Sequence, residues 1–226
     1  MTETKVVVIT GGGKGLGKVT ALKFAKDGYH VAILGRNQQD LEATAQELQA
    51  TGAKVFWKVC NVGDWQSVEN AFAAVEAECG GVDVLVNNAG GWSGDNLSIA
   101  TPETIQTLVD SIILGTTFCT KAALPFMKEK GAGFIVNVGS TSGLLNSSDV
   151  AVSSAPKAAV ELFTRTLANE VRADNIRVSV IHPSNMSTNQ HALAYEQVAD
   201  LIAYVVHQPE NVTIREMIVT PTGEAF

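Results

Sequence analysis

The segment AVSSAPKAAV, residues 151–160, holds a hydroxyl and an amine at a spacing that could support chemistry. Ser153 and Lys157 are four residues apart, which places them one turn apart on one face if the segment is helical. A neutral lysine can act as the base for a serine, but neutrality requires that the amine be desolvated. Pro156 lacks an N–H and is tolerated in a first helical turn. We therefore expect a helix that starts near Ala155, with Ser153 in the loop before it.

A glycine-rich stretch, TGGGKGLG, directly follows the first apolar run and opens an amphipathic segment. Glycines let the backbone turn tightly and approach a pyrophosphate, and the N–H groups at a helix start stabilise its charge. A strand-to-helix turn can also use glycine simply for positive φ, so the placement between strand and helix is what favours nucleotide binding. The residues predicted to contact the phosphates are Gly11, Gly13, Lys14, Gly15, Leu16 and Gly17.

The end of the second apolar run indicates which nucleotide is bound. An acidic residue there would accept a hydrogen bond from the 2′-hydroxyl of NAD. The sequence ILGRNQQD instead has Gly35 and Arg36 at this place. A guanidinium suits a 2′-phosphate, and Lys14 can reach the same group. We predict NADP(H) as the cofactor; the alternative is that Arg36 is a solvated charge at a helix start.

Apolar, β-rich runs alternate with longer amphipathic stretches from KVVVIT near the N-terminus to EMIVT near the C-terminus. Strands that are apolar at nearly every position suit a parallel sheet covered on both faces, and the stretches between them are long enough to be crossover helices. This pattern predicts an α/β protein, a Rossmann-like doubly wound parallel sheet of about seven strands. Because no linker divides the chain, residues 1–226 are expected to form a single domain.

Composition argues against several other classes of protein. With 226 residues, 46% of them hydrophobic, the chain can bury a substantial core. A net charge of −7 with scattered basic residues argues against nucleic acid as a partner. The first apolar run is too short for a signal peptide or a membrane span, so a cytoplasmic protein is expected. Cys60, Cys79 and Cys119 lie in apolar runs and are expected to be buried free thiols, and no metal site is predicted.

Together, TGGGKGLG at residues 10–17 and NNAG at residues 87–90 resemble the short-chain dehydrogenase/reductase family. The resemblance covers essentially the whole chain and implies hydride transfer between a nicotinamide cofactor and a carbonyl carbon. It also implies an adenine contact in CNVGD and a nicotinamide contact in IHPSNMST, where Ser184 replaces the usual glycine. The further residues assigned to the cofactor in this way are Asn61, Val62, Asn88, Ala89, Gly90, Lys157, Pro183 and Thr188.

The resemblance places the family's four catalytic positions in this chain, and two of them have changed. The serine that orients the substrate oxygen corresponds to Ser140, and the lysine that holds the ribose corresponds to Lys157. The tyrosine that transfers the proton corresponds to Ser153, and the asparagine that anchors a water chain corresponds to Ile112. A serine hydroxyl is a much weaker acid than a phenol, so Ser153 is a doubtful proton donor.

Other side chains could take part in proton transfer instead. Tyr195 follows the loop Pro183–Thr188, and it is the speculative stand-in for the missing tyrosine. Tyr29 begins the second strand, far from this loop, and Tyr204 is expected to be a core residue. His182 ends the sixth apolar run, and we expect a packed or exposed strand-end group there rather than an acid or base.

Three functions remain open. The first is an NADP(H)-binding oxidoreductase that acts on a small carbonyl, imine or activated alkene, with water, Ser140 or Tyr195 as the acid. The second is a catalytically impaired NADP(H)-binding protein or scaffold. The third is a non-redox enzyme that uses Ser153 and Lys157 in the vacated pocket. The first is favoured because the glycine-rich stretch, NNAG, Ser140 and Lys157 are intact.

Two predicted helices, Pro102–Lys130 and Pro156–Ala173, carry apolar residues over much of their circumference. One sheet face cannot cover so much apolar surface, which predicts an interface with another molecule. The resemblance implies a homodimer or homotetramer that pairs through these helices. The apolar residues concerned are Ile112, Ile113, Leu114, Phe118, Val160, Leu162, Phe163 and Leu167.

Overall fold

The computed structural model describes residues 4–145, 150–186 and 192–224, and seven strands within them form one parallel sheet. The strand order is β3-β2-β1-β4-β5-β6-β7, so the chain winds outward in both directions from the junction of β1 and β4. The strands are β1 (Val6–Thr10), β2 (His30–Gly35), β3 (Val55–Val59), β4 (Val84–Asn87), β5 (Gly133–Val138), β6 (Ile176–Pro183) and β7 (Glu216–Val219). The predicted α/β class and doubly wound sheet are confirmed.

Helices connect the strands and cover both faces of the sheet. They are α1 (Gly15–Lys26), α2 (Gln38–Gln49), α3 (Trp65–Cys79), α4 (Pro102–Leu108), α5 (Gly115–Lys130), α6 (Ala151–Glu170) and α7 (Tyr195–Val206). One hydrophobic core joins the sheet to α1, α2 and α7, with Phe24 and Ile202 fully buried. A second core joins the opposite face to α3, α5 and α6, where Leu85 and Cys119 are fully buried. Burial from both sides is why the strands are apolar at nearly every position.

The predicted helix Pro102–Lys130 is formed, but its middle is not α-helical. A π-helical segment, Val109–Leu114, separates α4 from α5. By length and composition alone the run could cross a membrane, and 44% of its most apolar stretch is buried inside the protein. The run packs against the sheet and α6.

A chain of buried amide and hydroxyl groups crosses the sheet between β4 and β5. Asn87 Nδ2 donates to Thr120 Oγ1 at 3.0 Å and to Asn137 Oδ1 at 2.9 Å. Asn137 Nδ2 donates in turn to Thr164 Oγ1 at 2.8 Å. These bonds tie α5 and α6 to the two central strands, so the position of α6 is fixed by directional contacts as well as by packing.

The start of α6 corrects the expectation drawn from Pro156. The helix begins at Ala151 rather than near Ala155, and Ser153 lies in its first turn, buried. Both Ser153 N–H and Ser154 N–H donate to the carbonyl of Val150. Pro156 forfeits one helical hydrogen bond, but the residues before it gain burial and a hydrogen bond to a neighbouring loop, which offsets that loss.

Two expectations about burial were also wrong. Tyr204 is 54% exposed, because α7 packs through the faces that carry Val198, Ile202 and Val205, and Tyr204 points away from them. All three cysteines are free, but Cys79 is only partly buried. Burial raises the pKa of each thiol, that of Cys79 to about 11.

Candidate active site

An open cavity of about 1200 Å³ lies beyond the carboxyl ends of the central strands. This is the edge of a doubly wound sheet where ligands bind. The predicted site residues that line it are Gly11, Gly13, Lys14, Gly15, Leu16, Arg36, Asn61, Val62, Asn88, Ala89, Gly90, Ser140, Ser153, Lys157, Pro183 and Tyr195. Thr188 lies outside the described residues, and Gly17 supports the cavity from behind.

The glycine-rich stretch forms a tight turn held by NNAG. Gly11 and Gly15 adopt positive φ, at 65° and 54°. A methyl group at Gly17 would lie 2.2 Å from the carbonyl oxygen of Gly11, so only glycine fits there. Thr10 Oγ1 accepts from the N–H groups of Asn88 and Ala89, and Asn88 Nδ2 donates to Thr10 O at 2.9 Å. The first turn of α1 borders the cavity. It carries no acidic residue, which favours the binding of an anion there.

At the far end of the cavity, Arg36 is exposed on the loop between β2 and α2. The next residue, Asn37, caps α2 by accepting from Asp40 N. Across the cavity, Asn61 Oδ1 accepts from Gly63 N at 3.3 Å, which orients its amide within a turn. The residues present fit a dinucleotide. The glycine-rich turn would hold the phosphates, and the guanidinium after β2 would lie beside the ribose.

Ser153 forms two hydrogen bonds with one residue of the loop after β4. Its Oγ donates to Ser93 O at 2.9 Å and accepts from Ser93 N at 3.0 Å. The hydroxyl has a single hydrogen, and that hydrogen is already donated to a backbone carbonyl. Ser153 therefore joins α6 to this loop instead of presenting a free hydroxyl to the cavity.

Tyr195 lies at the phosphate end of the cavity. A methyl group at Gly15 would be 3.8 Å from Tyr195 Cζ and 3.9 Å from its hydroxyl oxygen. The ring therefore stands beside the start of α1, where the glycine-rich turn ends. Tyr29, by contrast, packs edge-on against Phe24, with the ring centroids 5.0 Å apart.

Lys157 extends from α6 toward the end of β5. Its Nζ donates to Val138 O at 2.7 Å, and a methyl group at Gly90 would lie 3.9 Å from that nitrogen. Burial lowers the pKa of the Lys157 ammonium to about 8. The hydrogen bonds of Ser153 and Lys157 lead to different segments, so the geometry does not favour a Ser–Lys nucleophile pair.

Ser140 follows β5 and belongs to a small cluster of hydroxyl groups. Its Oγ lies 2.9 Å from Ser142 Oγ and accepts from Ser142 N at 3.2 Å. The Oγ and the Lys157 ammonium border the same cavity. Of the four positions that the resemblance assigns, Ser140 and Lys157 keep the expected residue type and line the cavity.

Ile112, the residue expected at the family's asparagine position, lies in the π-helical segment. It is 1% exposed and packs in a small core with Leu108, Val152 and Val160. A methyl group at Gly90 would lie 3.1 Å from Ile112 Cγ1. Ile112 therefore makes an apolar contact against NNAG.

His182, expected to be a packed or exposed strand-end group, is packed: it is fully buried within a polar network. Its Nε2 lies 2.6 Å from Glu161 Oε2, and its Nδ1 lies 3.3 Å from Ser140 N and 3.2 Å from Ser140 O. The Nδ1 can accept from the N–H or donate to the carbonyl, but one proton state allows only one of these. The backbone of Ser140 is thus held from behind by an imidazole.

Glu161 is a residue of this network that sequence reasoning missed. It follows Lys157 by four residues on α6, a spacing that does put both side chains on one face. Arg165 Nε also binds the Glu161 carboxylate, and Arg165 reaches Glu216 at 3.2 Å. Glu161, His182 and Glu216 could hold a metal by geometry alone, but the Arg165 guanidinium already bridges the two carboxylates.

Beyond His182, Ser184 replaces the glycine of the family loop. Its N–H donates to Val219 O at 2.8 Å, and its Oγ donates to the Glu224 carboxylate. These bonds link the loop after β6 to β7 and the C-terminal segment. The loop backbone is therefore held by contacts that glycine could not make through a side chain.

This combination of a doubly wound sheet, a glycine-rich turn and an adjoining polar cavity defines a dinucleotide-binding protein of the Rossmann type. The chain belongs to the short-chain dehydrogenase family, which it matches over residues 5–199. An uncharacterized oxidoreductase of Staphylococcus epidermidis is 30% identical over 228 residues, which cover 97% of this chain and 98% of the relative.

Two solved structures show the same fold over nearly the full chain. An alcohol dehydrogenase from the archaeon Thermococcus sibiricus, complexed with 5-hydroxy-NADP, superposes with a TM-score of 0.93 at 26% identity and covers 99% of both chains. The closed form of a serine dehydrogenase complexed with NADP+ gives a TM-score of 0.92 at 27% identity, covering 98% of this chain and 96% of that one.

A substitution at Gly139 tests the buried network of His182 and Glu161. A methyl group there would lie 2.4 Å from His182 Nδ1, and Glu161 prevents the imidazole from moving away. We expect Gly139→Ala to lower the free energy of unfolding by about 1–3 kcal/mol, measured by urea denaturation. In a His182→Ala background, Gly139→Ala should lower the free energy of unfolding by much less. Equal costs in both backgrounds would contradict this explanation.

The control for that measurement is Gly223→Ala, since a methyl group at Gly223 meets open space. We expect it to change the free energy of unfolding by no more than about 0.5 kcal/mol.

Proposed function

We propose that the protein is an NADP(H)-dependent oxidoreductase that reduces or forms a small carbonyl compound, or an imine or activated alkene, with Lys157 as the proton donor. One observation carries this proposal: Lys157 Nζ is the cationic group at the cavity beside NNAG, and it is bonded only to a backbone carbonyl among the described residues. The assignment to short-chain dehydrogenases supports the reaction class.

The residues that would hold the cofactor are those of the cavity. The glycine-rich turn and the start of α1 would bind the pyrophosphate, and Tyr195 would flank it. Arg36 and Lys14 would bind a 2′-phosphate, and Asn61 and Val62 would contact the adenine. NNAG, Pro183 and Thr188 are proposed for the nicotinamide end. Two relatives of known structure that bind NADP or its derivative support this preference.

The bound nicotinamide supplies or accepts the hydride. The chain's own residues must then orient the substrate oxygen and move a proton to it. Ser140 Oγ can donate a hydrogen bond to that oxygen, because its hydroxyl hydrogen can rotate away from Ser142. The Lys157 ammonium gives its proton to the oxygen as charge develops and recovers one from solvent through the open cavity.

The alternative donors are less well placed. Ser153 has its hydrogen committed to Ser93 O, and Tyr195 stands beside Gly15 at the phosphate end. Lys157 also meets the chemical requirement, since burial lowers the pKa of its ammonium to about 8. An acid whose pKa lies near the working pH is effective both as donor and after release of its proton.

Lys157→Arg and Lys157→Met separate the cofactor role from proton transfer. Arginine keeps the positive charge but does not release a proton, so NADPH affinity should stay within a few fold while kcat falls about 10²- to 10⁴-fold. Methionine should weaken both. Lys26→Met, an exposed lysine on α1, is the matched control and should change neither. Calorimetry and NADPH oxidation measure the two quantities.

The pH dependence follows from the same lysine. Its pKa of about 8 lies below the ordinary value, so the donor is charged below pH 8 and loses its proton above it. Carbonyl reduction should be constant at lower pH and fall about tenfold per unit above pH 8. A Lys157→Arg variant with unchanged kcat and profile contradicts the assignment. Tight NADPH binding without turnover of any tested carbonyl would favour a binding protein instead.

Arg36 determines the cofactor preference in this proposal. Arg36→Glu should lower the ratio of kcat/KM for NADPH over NADH by about 10- to 100-fold, because a charge-assisted bond is lost and a carboxylate faces the phosphate. Lys58→Ala is the control, as Lys58 is exposed on β3 outside the cavity. If wild type and Arg36→Glu have the same ratio of kcat/KM for NADPH over NADH, the guanidinium does not bind the 2′-phosphate.

We also propose a homodimer or homotetramer in the cytoplasm, paired through the run Pro102–Lys130 and α6. Leu162 supports the interface, since it is 68% exposed on α6. Leu162→Glu should shift the protein to monomer in light scattering. Val59→Glu, on the opposite edge of the sheet, should not. A wild-type monomer would rule out the assembly.

A further inference from the structure

The loop after β4, residues 91–96 and here named the Trp92 loop, is anchored by the side chain that replaced the family's tyrosine. Ser153 is 2% exposed, and its hydroxyl pairs with both the N–H and the C=O of Ser93. A larger side chain pointing the same way would overlap the Ser93 backbone, which lies 2.9–3.0 Å from Oγ. With serine at position 153, the Ser93 backbone can occupy space that a tyrosine ring would fill.

Contacts within the loop fix its shape further. Ser93 Oγ donates to Asp95 Oδ2 at 2.8 Å and accepts from Asp95 N at 3.2 Å. A methyl group at Gly94 would lie 2.8 Å from Trp92 Cη2, so the indole folds back over Gly94. The position of Trp92 is thus set by neighbours on both sides of the loop.

Trp92 is a residue of the cavity lining, and it is largely exposed. It lines the cavity together with Gly91, Thr107 and Ser111, and it is 72% exposed. A large flat apolar surface left open at a binding cavity is suited to stacking against another planar group. The Lys157 ammonium borders the same cavity and argues against a cationic partner, so a planar, unsaturated ring without positive charge fits best.

We propose that Ser153 is a positioning residue that holds the Trp92 loop, and that Trp92 forms a stacking wall for a planar ring conjugated to the substrate carbonyl. The carbonyl group of the substrate rests on the proposed function, whereas the stacking of a ring on Trp92 does not. It names the substrate class as aryl or vinyl carbonyl compounds. In this proposal Ser153 anchors the Trp92 loop at the position where the family has its tyrosine, and the anchored loop determines substrate specificity.

Binding of acetophenone and of cyclohexyl methyl ketone tests the wall without requiring turnover. The two ketones carry the same reacting group on a planar and on a puckered six-membered ring. Ligand-observed NMR titration should show a Kd for acetophenone that rises about three- to tenfold in Trp92→Leu. The Kd for the cyclohexyl ketone should hardly change. Equal effects on both ketones, or none, overturn the stacking role.

Ser153→Ala tests the anchor, and the neighbouring Ser154→Ala is its matched control because the buried Ser154 Oγ has no hydrogen-bond partner among the described residues. We expect Ser153→Ala to weaken acetophenone binding nearly as much as Trp92→Leu and to lower the fluorescence anisotropy of Trp92, read against a Trp92→Phe blank. NADPH affinity should be unchanged. Ser154→Ala should leave every readout at the wild-type value. An unchanged acetophenone Kd in Ser153→Ala overturns the anchor.

Turnover gives a second readout. In active protein, Ser153→Ala should raise KM for acetophenone with little change in kcat, because the hydroxyl acts on position and not on the proton. A large fall in kcat at constant KM overturns the positioning role. A wild type that binds acetophenone selectively but turns over no tested carbonyl, imine or activated alkene keeps the stacking wall and removes the proposed oxidoreductase function.

Discussion

One face of α6 organises the candidate site through three polar contacts spaced four residues apart. Each contact reaches the carboxyl end of a different strand or the loop that follows it, in the order β4, β5 and β6. The pairs are Ser153 with Ser93, Lys157 with Val138, and Glu161 with His182. Because side chains four residues apart lie on one helix face, a single rigid helix sets the positions of three neighbouring strand ends. The cavity owes its shape to this helix.

The balance of forces at α6 explains features that look unfavourable singly. Pro156 forfeits a backbone hydrogen bond inside the helix, and Lys157 carries a charge into a buried place. Each is tolerated because burial of Val152 and Ser153, and the bonds to strand ends, contribute several interactions of about 1 kcal/mol each. The lowered pKa of Lys157 is the chemical result of that burial. The same packing that holds the helix therefore prepares an amine for proton transfer.

Much of the fold could be predicted because it follows from local patterns. Strands buried on both faces must be apolar throughout, and runs such as KVVVIT record this directly in the sequence. The glycine-rich turn was likewise predictable, since Gly17 has no room for a side chain against Gly11. The start of α6 was misplaced, because the local rule for proline ignores what a buried first turn gains from its neighbours.

The sequence by itself determined the sheet and the order of its elements along the chain, and its resemblance to the family predicted two changed catalytic positions, since residue identity and spacing are local properties. Tertiary structure alone decided what replaced the missing groups. Ser153 became a loop anchor because Ser93 lies against it, 60 residues away in the chain. His182 supports Ser140 because Glu161 packs behind it. Such pairings depend on distances between remote segments, and no pattern of neighbouring residues encodes them.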